Sequence, residues 1–347
     1  MFKKYRVISL LLVLILMLSL SACGKSSQQG TPSENKTEGG AQQPQQEKIV
    51  WKFGYLANEQ HIWHKTAEEF AKRVYEKTNG RLEIKLYPNE QLGSEMDVLN
   101  MIRDGSADMT ITGESMQNWA PKAALIATPY AFRDMDHMVK VIEGDLGKEI
   151  EEQVKEKVGV TPIYYHLRSP RNLTSNKPVR SLSDLKGFKM RVPNVPVFLE
   201  AWKAAGAHPQ AMAFSEVFTA LQQGVIDGQE NPYDLILSGG LYEVQKYVNE
   251  TEHVLGWIYV VVGNKQLESL PEDMRQAVLE AAQEAQAIGD ELFKTDTEYC
   301  KQQLVDKGME IITDVNKQEF MDVMVPAVKN FLNDEQRDLY ERIMALK

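Results

Sequence analysis

The chain has 347 residues, enough for about two domains of ~100–200 residues each. Hydrophobic residues make up 43% and charged residues 25%, the balance of a folded globular protein rather than a disordered or fibrous one. Asp and Glu outnumber Lys and Arg 49 to 39, and the net charge of −10 argues against nucleic acid as main partner, since phosphates are met by clustered cations.

The amino terminus, MFKKYR, is basic, and Val7–Leu20 is apolar apart from Ser9 and Ser19. At ~1.5 Å per residue this run is short for a ~30 Å hydrocarbon core, so residues 1–22 read as a signal peptide. Its end, Leu20-Ser21-Ala22-Cys23, resembles a bacterial lipobox, which implies cleavage before Cys23 and lipidation of its thiol. The alternative is an uncleaved anchor helix. Residues 23–48 then read as the lipidated cysteine and a flexible tether, whose apolar side chains after Cys23 reduce to Ala41. A lipid and such a tether hold a soluble domain at the outer face of a membrane.

From Ile49 the pattern alternates. Val50–Tyr55 predicts a strand; Trp63, Ala67, Phe70 and Val74 recur at helical spacing, ending near Gly80. Arg81–Tyr87 predicts a second strand, and Ser94-x-x-Asp97 a capping box opening a helix that stops at Gly105. Ala107–Thr112 is a further strand, and this β-α-β-α-β order predicts a mainly parallel sheet with helices on its faces. A second series starts near Arg171, with Met190 and Val192 on one strand face and Lys189 and Arg191 on the other. Val197–Ala205 and Ser215–Gln223 predict helices, and Asn231-Pro232 predicts another with Asn231 as N-cap. Trp257–Val262 predicts a strand returning to the first domain. Pro271–Gly308 predicts one helix of ~55 Å, long enough to brace two domains.

Catalytic signals are weak. His61-x-x-His64 has no further metal ligands beside it and reads as surface or cleft-lip histidines. No GxSxG, GxGxxG or GxxxxGK[ST] occurs, and two distant cysteines make no zinc or disulfide framework; Cys300 reads as a half-buried apolar side chain. No cofactor or metal is implied. What remains is Arg168, Arg171, Arg191 and Asn231, in or beside loops flanking strands. Each arginine alone reads more readily as a solvated group or a structural ion pair than as a ligand contact.

Three stretches at these residues change the reading. They are Arg171–Pro178 (RNLTSNKP), Leu185–Asn194 (LKGFKMRVPN) and Met212–Pro232 (MAFSEVFTALQQGVIDGQENP). With their spacing they resemble the DctP-type solute-binding proteins of TRAP (tripartite ATP-independent periplasmic) transporters. The resemblance implies an α/β, two-lobed, type II periplasmic-binding-protein-like fold, each lobe a mixed sheet flanked by helices, with a long bracing helix. It implies lobe I at 49–167 plus 256–296, and lobe II at 168–255 plus 297–347. The function it implies is not enzymatic: capture of a carboxylate solute outside the cytoplasm, for delivery to the TRAP permease subunits.

In this resemblance Arg191 matches the arginine that clamps the substrate carboxylate. A planar guanidinium offers parallel N–H donors and stays charged. Arg171 matches a second basic contact, Asn231 an amide contact and Phe214 an aromatic wall. Neither arginine is expected to hold the core, so truncating either should spare stability. Glu95 and Glu114 fall where family members place groups that read the rest of the solute. They suit hydroxyl donors and repel a second carboxylate, which favours a uronate, aldonate or sialic-type acid over a C4-dicarboxylate. Leu56 stands where some members carry Asn, with Asn58 two positions on, and Arg168 either pairs with Glu114 or faces solvent. The alternatives are a lipid-anchored receptor for an ABC importer or sensor kinase, and a surface enzyme acting on sugar acids.

Overall fold

In the computed structural model, which describes residues 48–347, the chain opens as β1 (Ile49–Gly54), α1 (Ile62–Lys77), β2 (Leu82–Tyr87), α2 (Glu95–Asp104) and β3 (Met109–Thr112). Two 3-10 turns, Glu114–Asn118 and Pro121–Ile126, lead to α3 (Met135–Glu143), α4 (Asp145–Lys157) and β4 (Val160–Leu167). Next come β5 (Arg171–Ser175), β6 (Lys189–Val192), α5 (Pro196–Ala204), β7 (His208–Ala211), α6 (Phe214–Gln222), β8 (Gly228–Asn231) and α7 (Tyr233–Ser238). The chain returns through β9 (Tyr247–Val254) and β10 (Trp257–Gly263), then α8 (Asn264–Glu268), α9 (Glu272–Asp306), β11 (Glu310–Ile312), α10 (Lys317–Phe331) and α11 (Asp334–Ala345). Cys23, the leader and the tether through Glu47 lie outside the described residues.

Two sheets result. The first has the order β2-β1-β3-β10-β4, the second β11-β9-β5-β8-β6-β7. β1 runs parallel to β2 and β3, as the alternating opening suggests, but β10 returns antiparallel between β3 and β4, so the sheet is mixed. The second sheet is mixed too: β5 is antiparallel to β8 and β9, while β6 is parallel to β7 and β8. The chain passes between the sheets along α9, from β10 to β11, and directly at Arg168–Pro170 and again at Leu255–Gly256. The two direct crossings set the cleft.

The stripe Trp63, Ala67, Phe70 and Val74 is fully buried and packs α1 against α9. Large apolar side chains such as Phe70 and Val74 each contribute ~1.5–3 kcal/mol by burial, more than an exposed ion pair does. α9 runs 35 residues, roughly 50 Å. Its Met274, Val278, Ala281 and Ala285 join Phe53, Trp63 and Phe70, while Cys300 and Leu304 join Val217 and Ile236 beside the second sheet. Ser94 and Asp97 form the capping box on α2, and Gly105 ends that helix at φ 88°.

Three expectations need correction. α10 packs on α5 and β9, but α11 crosses back to α4 and the Pro121–Ile126 turn, burying Leu339, Tyr340 and Ile343 there. Gln336 Nε2 donates to the Pro121 carbonyl at 2.7 Å and Arg342 Nη2 to Glu149 at 2.6 Å. Residues beyond Leu332 therefore sit with the first sheet, not with lobe II; an amphipathic stripe specifies that it is covered, not by what. Asn231 ends β8 and caps nothing, since Pro232 is the N-cap of α7. His61 and His64 are buried: His61 caps α1 by accepting from the Trp63 N–H at 3.1 Å, and His64 Nδ1 bonds the Tyr55 hydroxyl at 2.8 Å.

Candidate functional site

Between the sheets lies a cavity of about 350 Å³, within the range of small-molecule sites. Its polar lining includes Arg168, Arg171, Arg191, Glu95, Glu114 and Asn231, gathered from both sheets and the crossing. Leu56, Phe214 and Leu235 give it apolar walls.

Arg191 lies in β6 between β7 and β8 and is 4% exposed. Its Nε donates to the Met212 carbonyl at 2.9 Å, and its guanidinium carbon lies 5.9 Å from the Phe214 ring centroid. The Phe214 ring has room because residue 239 is glycine; a Cβ there would stand 2.8 Å from the ring. Phe214 is itself the first residue of α6, with Ala213 at the cap position. Among the described residues, no carboxylate lies within ion-pairing distance of Arg191. Burial pulls its pKa down to about 10, with the neighbouring Arg171 acting in the same direction, so it remains protonated at neutral pH.

The other two arginines are neutralised. Arg168 Nη1 meets the two oxygens of Glu114 at 3.1 and 3.2 Å, both side chains being buried, which resolves the two readings of Arg168 in favour of the pair. Arg171 grips Glu230: Nη2 donates to Oε1 at 2.6 Å and to the Glu230 carbonyl at 2.8 Å, and Nε pairs with Oε2. His253 Nε2 approaches Glu230 Oε2 at 2.9 Å, and its Nδ1 meets the Thr251 hydroxyl at 2.9 Å. Burial alone would raise Glu230, but Arg171 and His253 hold it down at about 2. Arg171 is thus part of a buried ion pair in the sheet, and the expectation that its truncation spares stability does not stand. Glu230 and His253 went unnoticed in the sequence. Glu230 lies inside the quoted Met212–Pro232 stretch, and strand alternation next to Asn231 was the available signal.

Asn231 Nδ2 donates to Gln229 Oε1 at 2.5 Å on the same strand face. Glu95, the first residue of α2, accepts from Thr112 Oγ1 at 2.6 Å and Ser115 Oγ at 3.1 Å. Burial, and then the Glu114 charge, push its pKa up to about 7 against the pull of those hydroxyls. Leu56 lines the cavity, whereas Asn58 reaches away from it, donating to the Ser238 carbonyl at 2.7 Å.

A bacterial extracellular solute-binding protein model, family 7 (DctP), matches residues 53–335. The chain belongs to that family. It is accordingly a solute receptor of the TRAP transport class acting outside the cytoplasm, not an enzyme. A solute-binding protein from Roseobacter denitrificans is 46% identical over 299 residues, covering 86% of this chain and 92% of that protein. Its crystal structure with bound L-galactonate superposes with a TM-score of 0.84, covering 86% and 99% of the two chains. A TRAP solute-binding protein from Haemophilus influenzae with bound L-gulonate is 34% identical, with a TM-score of 0.80 over 86% and 100%. The 2,3-diketo-L-gulonate-binding periplasmic protein of Escherichia coli is 31% identical over 82% and 87%.

Proposed function

We propose that this receptor captures a hydroxylated monocarboxylate, an aldonate or uronate, with Arg191 as the carboxylate clamp. One observation carries the reading: Arg191 is a buried cation without an ion-pair partner among the described residues, whereas Arg168 and Arg171 each have one. A single uncompensated cation calls for a single carboxylate. Asn231 supplies an amide to the same end and Phe214 a wall, while Arg171 orients the clamp's surroundings from its pair with Glu230. Glu95, with Thr112 and Ser115, reads hydroxyls at the first-lobe end, and Glu114 is held to Arg168. The sugar acids bound by the Roseobacter and Haemophilus relatives support this class. A thermal-shift and calorimetric screen of L-galactonate, L-gulonate, D-glucuronate, succinate and malate tests it. A ligand at ~100 times its Kd adds ~2.7 kcal/mol of stability. Stabilisation by the dicarboxylates and not by the sugar acids would overturn the proposal.

We also propose that residues 49–167 with 256–296, joined by α11, move against the rest about the two direct crossings and α9. A ligand bridging both lobes then favours closure. Small-angle scattering should report compaction at saturating sugar acid; superimposable curves would exclude the motion. Finally, we propose lipidation at Cys23, supported by the basic leader, the short apolar run and the small residues before the cysteine.

A further inference from the structure

Two second-lobe helices facing the cleft begin without a side-chain cap of their own. α5 has Val195 at its N-cap and α6 has Ala213, and neither accepts a hydrogen bond from the first turn through its side chain. The first turn of a helix leaves N–H groups that need partners, and the helix dipole favours an anion there. On α6, Glu216 turns back to the Ala213 N–H at 3.0 Å. The Ser215 N–H donates to Glu90 Oε2 at 3.0 Å. Glu90 follows β2 of the first sheet, so the cap crosses the cleft.

The same pattern recurs on α5. The Val197 N–H donates to Gln117 Oε1 at 3.4 Å, and the neighbouring Asn118 Nδ2 donates to the Asn194 carbonyl at 3.0 Å. Gln117 and Asn118 belong to the 3-10 turn after β3.

Glu90 is held for this task by strained backbone. Asn89 and Glu90 have φ of 56° and 55°, two consecutive left-handed residues that are not glycine. Such conformations persist where surroundings over-determine them. Here the Asn89 N–H donates to the Ala57 carbonyl at 2.9 Å and the Glu90 N–H to the Tyr55 carbonyl at 3.0 Å. The segment that Glu90 grips is also the one that shapes the clamp, since Met212 accepts from Arg191 and Phe214 lies beside its guanidinium.

We propose that the first lobe latches the closed cleft by capping α6 and α5 in trans, with Glu90 as the principal positioning residue and Gln117 as the weaker one. The inference rests on the receptor reading above. The open state loses both caps, so they add to closure whatever solute is inside.

The test is stopped-flow and calorimetric binding of L-galactonate, L-gulonate and D-erythronate to wild type, Glu90→Ala, Glu90→Gln and Gln117→Ala. Glu90→Ala should raise Kd roughly three- to tenfold. The rise should be equal for all three acids, appear in the dissociation rate, and leave ligand-free melting unchanged. Glu90→Gln, which keeps an acceptor oxygen, should recover part of the loss, and Gln117→Ala should show a smaller one. An unchanged dissociation rate overturns the latch, and so does a loss that differs among the acids, which marks direct ligand contact instead. If wild type binds none of the acids, the sugar-acid reading fails separately. The latch is then judged with whichever of D-glucuronate, succinate or malate the screen finds to stabilise the protein, where an unchanged dissociation rate in Glu90→Ala overturns it.

Discussion

The Arg171 guanidinium and the Glu230 carboxylate share a two-point ion pair in which both side chains are almost wholly buried, at 3% and 0% exposure. One cation of the cleft is thereby neutralised from within the protein. Arg191, on β6 across β8 from Arg171, is left to the solute.

That asymmetry separates the two arginines experimentally. Removing Arg191 takes the partner from a carboxylate held at a buried cation, a loss of ~3–5 kcal/mol or roughly two to four decades in Kd. Arg191→Lys keeps the charge but loses the fork, so it should also bind poorly. Calorimetric titration with L-galactonate is the check. Binding of Arg191→Ala within threefold of wild type would discard the clamp.

Arg171→Ala and Glu230→Gln should each lower unfolding free energy by ~3–5 kcal/mol, because each leaves a buried group uncompensated. The Glu230 pKa falls from 4.5 to about 2 on folding, so the pair's contribution is complete above the unfolded value and drains away as pH drops through the folded one. Urea unfolding at pH 7 and pH 3 should therefore show the gap between wild type and Glu230→Gln narrowing at the lower pH. A constant gap contradicts the linkage.

Glu95 titrates in the opposite sense. Its pKa rises from 4.5 to about 7, so the folded protein holds a proton that the unfolded chain has already released. Stability relative to Glu95→Gln should fall as pH climbs between those values and level off above. A monoanion entering beside it favours the protonated form, so affinity should weaken as pH rises through 7, and binding at or just above that point should take up protons. Titrations in two buffers of different ionisation enthalpy, at pH 7.5 with pH 5.5 as the reference where little uptake is expected, measure this directly. The Glu95→Gln protein should show no such uptake, and the same uptake in both proteins would assign the proton elsewhere.

Cys23→Ser should release the mature protein from washed membranes into the soluble fraction. Firm holding requires more than one acyl chain, and loss of the attachment sulfur removes them all. Retention of the variant in the membrane pellet would refute the anchor.

The alternating pattern after Ile49, the capping box at Ser94 and Asp97, and the α9 stripe follow from local periodicity, which side chains report without knowing their neighbours. The same is true of the three stretches around Arg171, Arg191 and Asn231 that name the family. What the sequence left open is where charges find each other. Arg168 and Glu114 are 54 positions apart, Arg171 and Glu230 are 59 apart, and Glu90 lies 125 positions from the helix start it caps. The return of α11 to the first sheet is of the same kind, since an apolar helix face carries no address for its partner. Only the tertiary fold decides which cations are spent inside the protein and which one waits for a solute, because electrostatic pairing depends on distance in space and on burial, neither of which is written in local sequence.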